Sequence, residues 1–279
     1  MKDQSPWPYD YLTQAAPFNL LHSFIQTLGP GGFPELAQLN ALLESQRPAI
    51  HLRSGRRLRF VPQIFGNLTF EEQYEPRCYI KGELQTRDNW HDLFNALVWM
   101  RYPQAKAALN ARHFALLESF SVPAQGRGAT RDMATLLDES GVVVACADAE
   151  FGKLLREFRW KELFWGHRKS LLKKMDFCVF GHGLYEKLLH PYLGLTGQGL
   201  IIEVPPDYFE GTIAQRAAYL DGLLTTYIDD PQHCKRTSEL TPVPLLGIPG
   251  WDANNAQPAY YDNTAYFRPG RRSQPLSEN

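Results

Sequence analysis

The sequence lacks the features that would place the protein in a membrane or in an oxidising compartment. No apolar run approaches the ~18 to 20 residues that span a bilayer, and the N-terminus, MKDQSPWPYDYL, has no apolar segment of the signal-peptide kind. The four cysteines, Cys78, Cys146, Cys178 and Cys234, are far apart, so none forms the close pair of a zinc knuckle or a redox dithiol. We therefore predict a cytoplasmic protein with reduced, mostly buried thiols and no membrane partner.

An excess of charge is also missing. The 29 basic and 30 acidic residues give a net charge of -1, so no global field favours nucleic acid, a membrane surface or a highly charged substrate. The chain contains no GxxxxGK(S/T), GxGxxG, HExxH or GxSxG pattern, which removes the usual grounds for a nucleotide loop, a zincin or an α/β-hydrolase. Function must be sought in local clusters of residues.

What the chain does have is enough apolar material for a large core. Its 279 residues are 44% hydrophobic and 13% aromatic, and chains of this length bury roughly three quarters of the surface that unfolding exposes. Apolar spacing predicts a helical hairpin over 88–120 and a helix near 212–228, whereas alternation and turn residues predict β-hairpins over 49–62 and 131–148 and an extended stretch over 74–84. We predict a single α+β domain over 1–279, with an extended arm over 1–16 and a surface-wrapping tail over 241–279.

Several stretches together resemble a known family. They are NWHDLFNALVWMRYPQAKAALNARH at 89–113, RDMATLLDESGVVVA at 131–145, FRWKELFW at 158–165, VFGHGLYEKLLHPYLGLT at 179–196, and GIPGW with YDNTAYFRPGR in the tail. In order and spacing they are similar to the proteobacterial domain-of-unknown-function family numbered three thousand and twenty-five, from about residue 74 onward. The resemblance implies no catalytic residue, cofactor or substrate.

The sharpest local feature is Gly181-His182-Gly183, where an apolar strand is predicted to pass into a helix. Glycines permit backbone angles closed to other residues, and such a turn can present a side chain at the carboxyl end of a strand, where open α/β sheets bind ligands. His182 and Glu186 are four residues apart on one helical face and could ligate a metal. The alternative is that His182 caps the helix and Glu186 is solvated.

A second cluster, in which Asp138 and Glu139 fall in the predicted turn, contains Arg127, Arg131, Asp132, Asp138 and Glu139. The two aspartates are six residues apart, so a regular strand would place both carboxylates on one face. Paired carboxylates beside arginine can bind a divalent cation or form an acid and base pair. Turn chemistry and a surface ion pair explain the same residues without a site.

The helical hairpin carries polar residues within an apolar stretch. His91 and Asn95 share a face of the first helix, and Lys106, Asn110 and His113 lie on the second. They could line a cleft or form a buried structural network, because buried polar groups need partners.

Residues 156–174 hold seven Lys or Arg and two Glu among aromatic residues. Basic residues interleaved with aromatics can bind nucleic acid, but the same pattern is typical of a solvated helix face beside a core stripe.

The leading hypothesis is a hydrolase or transferase that acts on a small anionic substrate. His182 would serve as general base or metal ligand, with Asp132 and Asp138 as catalytic acids, and a divalent metal would be held by His182 and Glu186. Substrate-binding groups would be Arg131, Lys161, His91 and Asn95. The alternatives are a non-enzymatic binding or scaffold protein that uses its basic helices and aromatic tail, and nucleic-acid binding through 156–174. The sequence indicates no oligomeric state.

Overall fold

The computed structural model of the protein describes residues 6–118 and 127–270. Helices and strands alternate irregularly along the chain, as in an α+β fold. The helices are α1 (Tyr9–Gln14), α2 (His22–Leu28), α3 (Leu36–Ser45), α4 (Tyr74–Lys81), α5 (Trp90–Arg101), α6 (Pro103–Glu118), α7 (Arg127–Ser140), α8 (Ala149–Arg156), α9 (Arg168–Leu171), α10 (His182–Leu188) and α11 (Ile213–Asp229). The strands are β1 (Arg59–Val61), β2 (Glu83–Gln85), β3 (Gly141–Cys146), β4 (Met175–Val179), β5 (Thr196–Glu203) and β6 (Thr241–Pro244).

A mixed four-stranded sheet of order β4-β3-β5-β6 lies at the centre. Strand β3 is antiparallel to β4, with Val142 opposite Val179, and parallel to β5, with Val143 opposite Leu200. Every residue of β3, GVVVAC, is buried, which is typical of a strand covered on both faces. A separate two-stranded parallel sheet joins β1 to β2.

The predicted helical hairpin is confirmed as α5 and α6, and two caps fix its ends. The side chain of Asn89 accepts a hydrogen bond from Asp92 N at 2.8 Å and so caps α5. The N-terminus of α6 is capped from a distance, because the carboxylate of Asp221 on α11 accepts from Gln104 N at 3.1 Å and from Ala105 N at 2.8 Å. The contact between α6 and α11 therefore includes a buried charge-assisted cap.

The predicted β-hairpin over 131–148 is wrong in its first half. Helix α7 continues to Ser140 and passes directly into β3. Met133, Ala134 and Leu137 are all buried at helical spacing, so burial of this stripe prevails over the turn propensity of the Asp-Glu-Ser-Gly segment. In a helix, two positions six residues apart are offset by about 240° around the axis. Asp132 and Asp138 are therefore on different faces of α7.

Two other extended predictions are wrong over part of their length, although Glu83 and Leu84 lie in β2 as an extended segment. Residues 74–81 form α4, which Gly82 ends in the left-handed conformation at φ 71°. Pro76 lies in the first turn, where a helix tolerates proline. In the predicted arm, Tyr9–Gln14 form α1, while Trp7 stacks on Trp90 with ring centroids 5.5 Å apart.

The C-terminal segment contributes to the core and does not only wrap the surface. Strand β6 pairs with β5 at the edge of the sheet, and Leu245, Ile248 and Tyr261 are buried beyond it. Within residues 6–118 and 127–270, no helix combines the length and apolar composition needed to cross a bilayer.

Candidate metal centre

The centre forms where the end of α7 meets the start of α10. Because β3 and β4 are antiparallel neighbours, the residues just before β3 and just after β4 lie side by side. The carbonyl of Gly141 accepts hydrogen bonds from Phe180 N at 3.0 Å and from Gly181 N at 2.8 Å. Sheet register therefore places Glu139, at the end of α7, against His182, at the start of α10.

The glycines around His182 make this close approach possible. A Cβ at position 181 would lie 2.4 Å from Gly141 N, and one at 183 would lie 2.8 Å from Glu139 Oε2. Gly181 has an ordinary φ of -65°, so the predicted reason for the glycines, special backbone angles, is replaced by close packing. Any side chain at either position would push the 139–141 backbone or the Glu139 carboxylate away.

Helix α5 brings His91 to the same point. The rings of His91 and His182 meet edge to face with centroids 4.5 Å apart, and their Nε2 atoms are separated by 3.1 Å. Glu139 Oε1 lies 3.5 Å from Nε2 of His182 and 3.8 Å from Nε2 of His91. Three ligand atoms from α5, α7 and α10 thus converge within 4.8 Å of one another, in an arrangement that could hold a metal ion.

Each histidine has a carboxylate near its other ring nitrogen. Glu186 Oε2 is 3.3 Å from Nδ1 of His91, and Asp138 Oδ2 is 3.8 Å from Nδ1 of His182. The contact of Glu186 with Nδ1 of His91 favours the tautomer of His91 with the proton on that atom and the lone pair on Nε2. The carboxylate of Asp138 is beyond hydrogen-bond distance of Nδ1 of His182 and acts on that ring through its charge.

A buried ion pair between Lys106 and Asp138 lies next to the centre. Lys106, which is only 3% exposed, donates to the carboxylate of Asp138 and to Asn95 Oδ1, the latter at 2.9 Å. Burial alone would raise the pKa of Asp138, but the charge of Lys106, with His182, holds that pKa below its usual value. Asp138 is therefore ionised beside the imidazole of His182.

The protonation of the convergent groups follows from their burial. Desolvation, together with Lys106 and His91, lowers the pKa of His182 to about 3 against the opposing effect of Asp138. Burial, with the nearby charge of Asp138, raises the pKa of Glu139, and His91 opposes that rise. His182 is thus a neutral imidazole near neutral pH, which is the form that ligates metals.

These groups lie on the wall of a cavity of about 310 Å³. Helices α4, α5, α6, α7 and α10 line it together with β2 and adjoining loop residues, and the polar residues among its lining are Gln63, Tyr74, Glu75, Gln85, Arg87, His91, Asp92, Asn95, His113, Arg131, Thr135, Asp138, Glu139 and His182. The volume is at the small end of the range for small-molecule sites.

Most of the residues singled out in the sequence lie at this cavity, and some lie elsewhere. His182, Asp138, Arg131, His91 and Asn95 line it. Glu186 touches His91 from outside the convergent trio. Asp132 is exposed and does not line the cavity. Lys161 does not line it either and donates to Asp262 Oδ1 at 2.6 Å.

Sequence reasoning missed Glu139 as a ligand and the place of Glu75 in the cavity wall. Glu139 was assigned to a turn, but in a helix Arg131, Thr135 and Glu139 are spaced i, i+4 and i+8 on one face. This helical spacing indicates that Glu139 shares a face with Arg131. The incorrect β-hairpin prediction placed Glu139 in a turn and so concealed the relation.

The basic segment 156–174 is largely engaged within the protein. Trp160 and Phe164 are buried. Arg168 donates to Asn255 O at 3.0 Å and Lys174 to Asp148 Oδ2 at 2.9 Å. These contacts support the interpretation in which the aromatic residues face the core and the basic residues pair with other parts of the protein. They do not favour the nucleic-acid interpretation, in which the aromatic rings would stack on bases.

Comparison with known proteins gives one match. The sequence pattern of a family described as "Protein of unknown function (DUF3025)" matches residues 58–271, a range that includes every residue of the centre. No curated protein and no solved structure matches the chain.

Proposed function

The chain belongs to the DUF3025 family of proteins of unknown function, and we propose that it is a zinc-dependent hydrolase of a small anionic substrate. The proposal rests on one observation. Two imidazole nitrogens and a carboxylate oxygen converge at the wall of a small cavity, with His91, His182 and Glu139 as ligands. Two histidines and one glutamate form the ligand set of many catalytic zinc sites, which leave a fourth position to water or substrate.

The separations between the ligand atoms are compatible with a tetrahedral zinc ion. Bonds of ~2.05 Å arranged tetrahedrally place ligand atoms about 3.3 Å apart. The three observed separations, 3.1, 3.5 and 3.8 Å, lie around the tetrahedral value. Octahedral iron(II) sites also use two histidines and one carboxylate. Fe²⁺ is therefore titrated beside Zn²⁺.

The protein's own groups have defined tasks in this scheme. Glu186 orients the imidazole of His91, Asp138 places a negative charge 3.8 Å from Nδ1 of His182, and Lys106 keeps Asp138 ionised. Zinc would supply a bound water of pKa near 7. In hydrolysis the water oxygen bonds to the electrophilic carbon, the bond to the leaving group breaks, and the water proton leaves with that group. A pKa of about 3 makes His182 a weak general base, which supports its role as a ligand.

Metal titration tests the centre. Metal-free protein titrated with Zn²⁺ in a calorimeter is expected to bind one ion, more tightly than Fe²⁺ or Mn²⁺. The variants His91→Ala and Glu139→Gln should each lose most of that affinity, and His190→Ala, an exposed histidine near the end of the same α10 region, should not. Absence of a single zinc site, or equal loss in all three variants, would overturn the assignment, and tighter Fe²⁺ binding would exclude the zinc hydrolase.

Activity is tested with p-nitrophenyl monoesters of short dicarboxylic acids, which combine an ester with an anion. Zinc-loaded protein should release p-nitrophenol with saturation kinetics, and both chelation and Glu139→Gln should abolish the release. A rate that is indifferent to zinc would count against hydrolysis at this centre even if zinc binds.

A further inference from the structure

Resting on that proposed function, we infer that the substrate carries a carboxylate or phosphate group remote from the cleaved bond, and that Arg131 binds this anion at the opposite end of the cavity from the metal. The inference joins two features of one wall of the cavity. Helix α7 supplies the metal ligand Glu139 at one end and Arg131 at the other, and both line the same hollow.

Helix geometry sets the distance between the two ends. Arg131, Thr135 and Glu139 are spaced by four residues, so they lie along one face of α7. Eight residues correspond to about 12 Å along the helix axis. A ligand that contacts both the metal and the guanidinium must therefore be extended, with its two functional ends several bonds apart.

The charges around the cavity leave Arg131 available to a ligand. Arg87 donates to Asp92 Oδ2 at 2.9 Å and to Asp92 Oδ1 at 3.0 Å, and Lys106 is paired with Asp138. Arg131 forms no ion pair or hydrogen bond with any residue in 6–118 or 127–270. It is thus a cation at the cavity wall that no carboxylate of the described residues pairs with.

The chemistry of the guanidinium identifies the class of group it would bind. Its planar fork of N–H donors matches the two oxygens of a carboxylate or phosphate. With zinc bound, the face of α7 that lines the cavity would present a cationic centre at each end, with Thr135 between them. An extended ligand with an anion at one end and a hydrolysable carbonyl at the other fits both centres, and a neutral or purely apolar ligand fits neither.

Binding of simple dianions to the zinc-loaded protein tests the inference. The probes are acetate and the unbranched dicarboxylates from malonate to suberate, measured by calorimetry, with 3-phosphonopropionate beside succinate to compare the two kinds of anion. We expect the dicarboxylates to bind more tightly than acetate, with affinity rising to an optimum length that spans the cavity. Arg131→Gln should weaken the best dicarboxylate by roughly 10- to 100-fold, the effect of losing a charge-assisted hydrogen-bonded pair, and should leave acetate binding and zinc affinity unchanged.

The controls separate failure of this inference from failure of the proposed function. Arg57→Gln removes an exposed arginine that does not line the cavity and should match the wild type for every probe. If zinc binds but Arg131→Gln behaves like Arg57→Gln, the arginine has no role in the site and the inference fails while the metal centre stands. If no zinc binds, the proposed function fails first.

Discussion

Glu186 is within hydrogen-bond distance of His91, at 3.3 Å, whereas Asp138 is 3.8 Å from His182, and the surroundings of the two carboxylates differ greatly. Glu186 is about half exposed, and Asp138 is largely buried against Lys106. Removing Asp138 would leave Lys106 as an unpaired buried charge, which usually destabilises a protein severely. Glu186 is therefore the better residue for measuring what a carboxylate behind a ligand contributes.

We expect Glu186→Gln to lower zinc affinity by about tenfold and to leave the fold intact, because carboxylates that orient ligating histidines typically contribute 10- to 100-fold and this one is exposed. Zinc titration measures the effect, with the exposed Glu210→Gln as the control. A loss as large as that of His91→Ala would show that Glu186 is itself a ligand, as the sequence suggested.

Asp221 is a buried acid remote from the cavity. Its carboxylate caps α6 by accepting from Gln104 N and Ala105 N. Burial raises its pKa to about 6, although these backbone bonds act in the opposite direction. The folded state therefore holds a proton on Asp221 more tightly than the unfolded state, whose aspartate has a pKa near 3.9.

This shift predicts a defined pH dependence. Between pH about 4 and 6 the folded state binds more protons than the unfolded state, so the contribution of Asp221 to the free energy of unfolding is present below pH 4 and falls as pH rises through 6. The fall is no more than about 3 kcal/mol for a shift of about two units. Urea unfolding at several pH values should show this slope in the wild type and in the exposed-site control Asp207→Asn, and Asp221→Asn should remove it. Equal slopes in all three proteins would refute the prediction.

At the scale of elements, the junction of α7 with β3 and of β4 with α10 determines the centre. Helix α7 passes into β3 at Gly141 without an intervening loop. A Cβ at this position would lie 2.3 Å from Leu137 O, so the junction requires glycine. Hydrogen bonds to the carbonyl of Gly141 then fix where α10 begins. The glycines on both sides act together, because each removes a side chain that would separate the two segments.

Gly183→Ala should lower zinc affinity by at least about tenfold, because its Cβ would occupy space 2.8 Å from Glu139 Oε2 and displace that carboxylate. The matched control is Gly222→Ala in α11, where nothing lies within 4 Å of the new methyl group. That change should keep zinc affinity and raise the free energy of unfolding by roughly 0.5 to 1 kcal/mol, the usual gain of Ala over Gly in a helix. Unchanged zinc affinity in Gly183→Ala would mean that Glu139 does not ligate from its present position.

At the scale of the whole molecule, the three ligands come from elements that are far apart in the chain. His91, Glu139 and His182 lie on α5, α7 and α10, and these helices meet only when the central sheet and the helical hairpin have both formed. Metal binding is therefore linked to global folding, because the unfolded chain cannot hold the three ligands together.

Zinc should accordingly stabilise the whole domain. At a free concentration of 100 times Kd, the free energy of unfolding is expected to rise by about 2.7 kcal/mol, measured by urea unfolding with buffered Zn²⁺ and reversed by EDTA. Glu139→Gln should show no such gain. A gain of similar size in that variant would indicate zinc binding elsewhere or to the unfolded chain.

The sequence by itself determined the fold class, the helical hairpin and the position of His182 where a strand passes into a helix, because each depends on local periodicity or on glycines adjacent in the chain. It also pointed to Arg131, Asp138, His91 and Asn95, which line the cavity. It could not determine that Glu139 lies beside both histidines, that Glu186 contacts His91, or that Asp132 and Lys161 lie outside the cavity. Those facts depend on the phase of α7 around its axis and on the register of β3 against β4, which are decided by burial of Met133, Ala134 and Leu137 and by contacts between residues distant in the chain. Only the tertiary structure specifies these contacts.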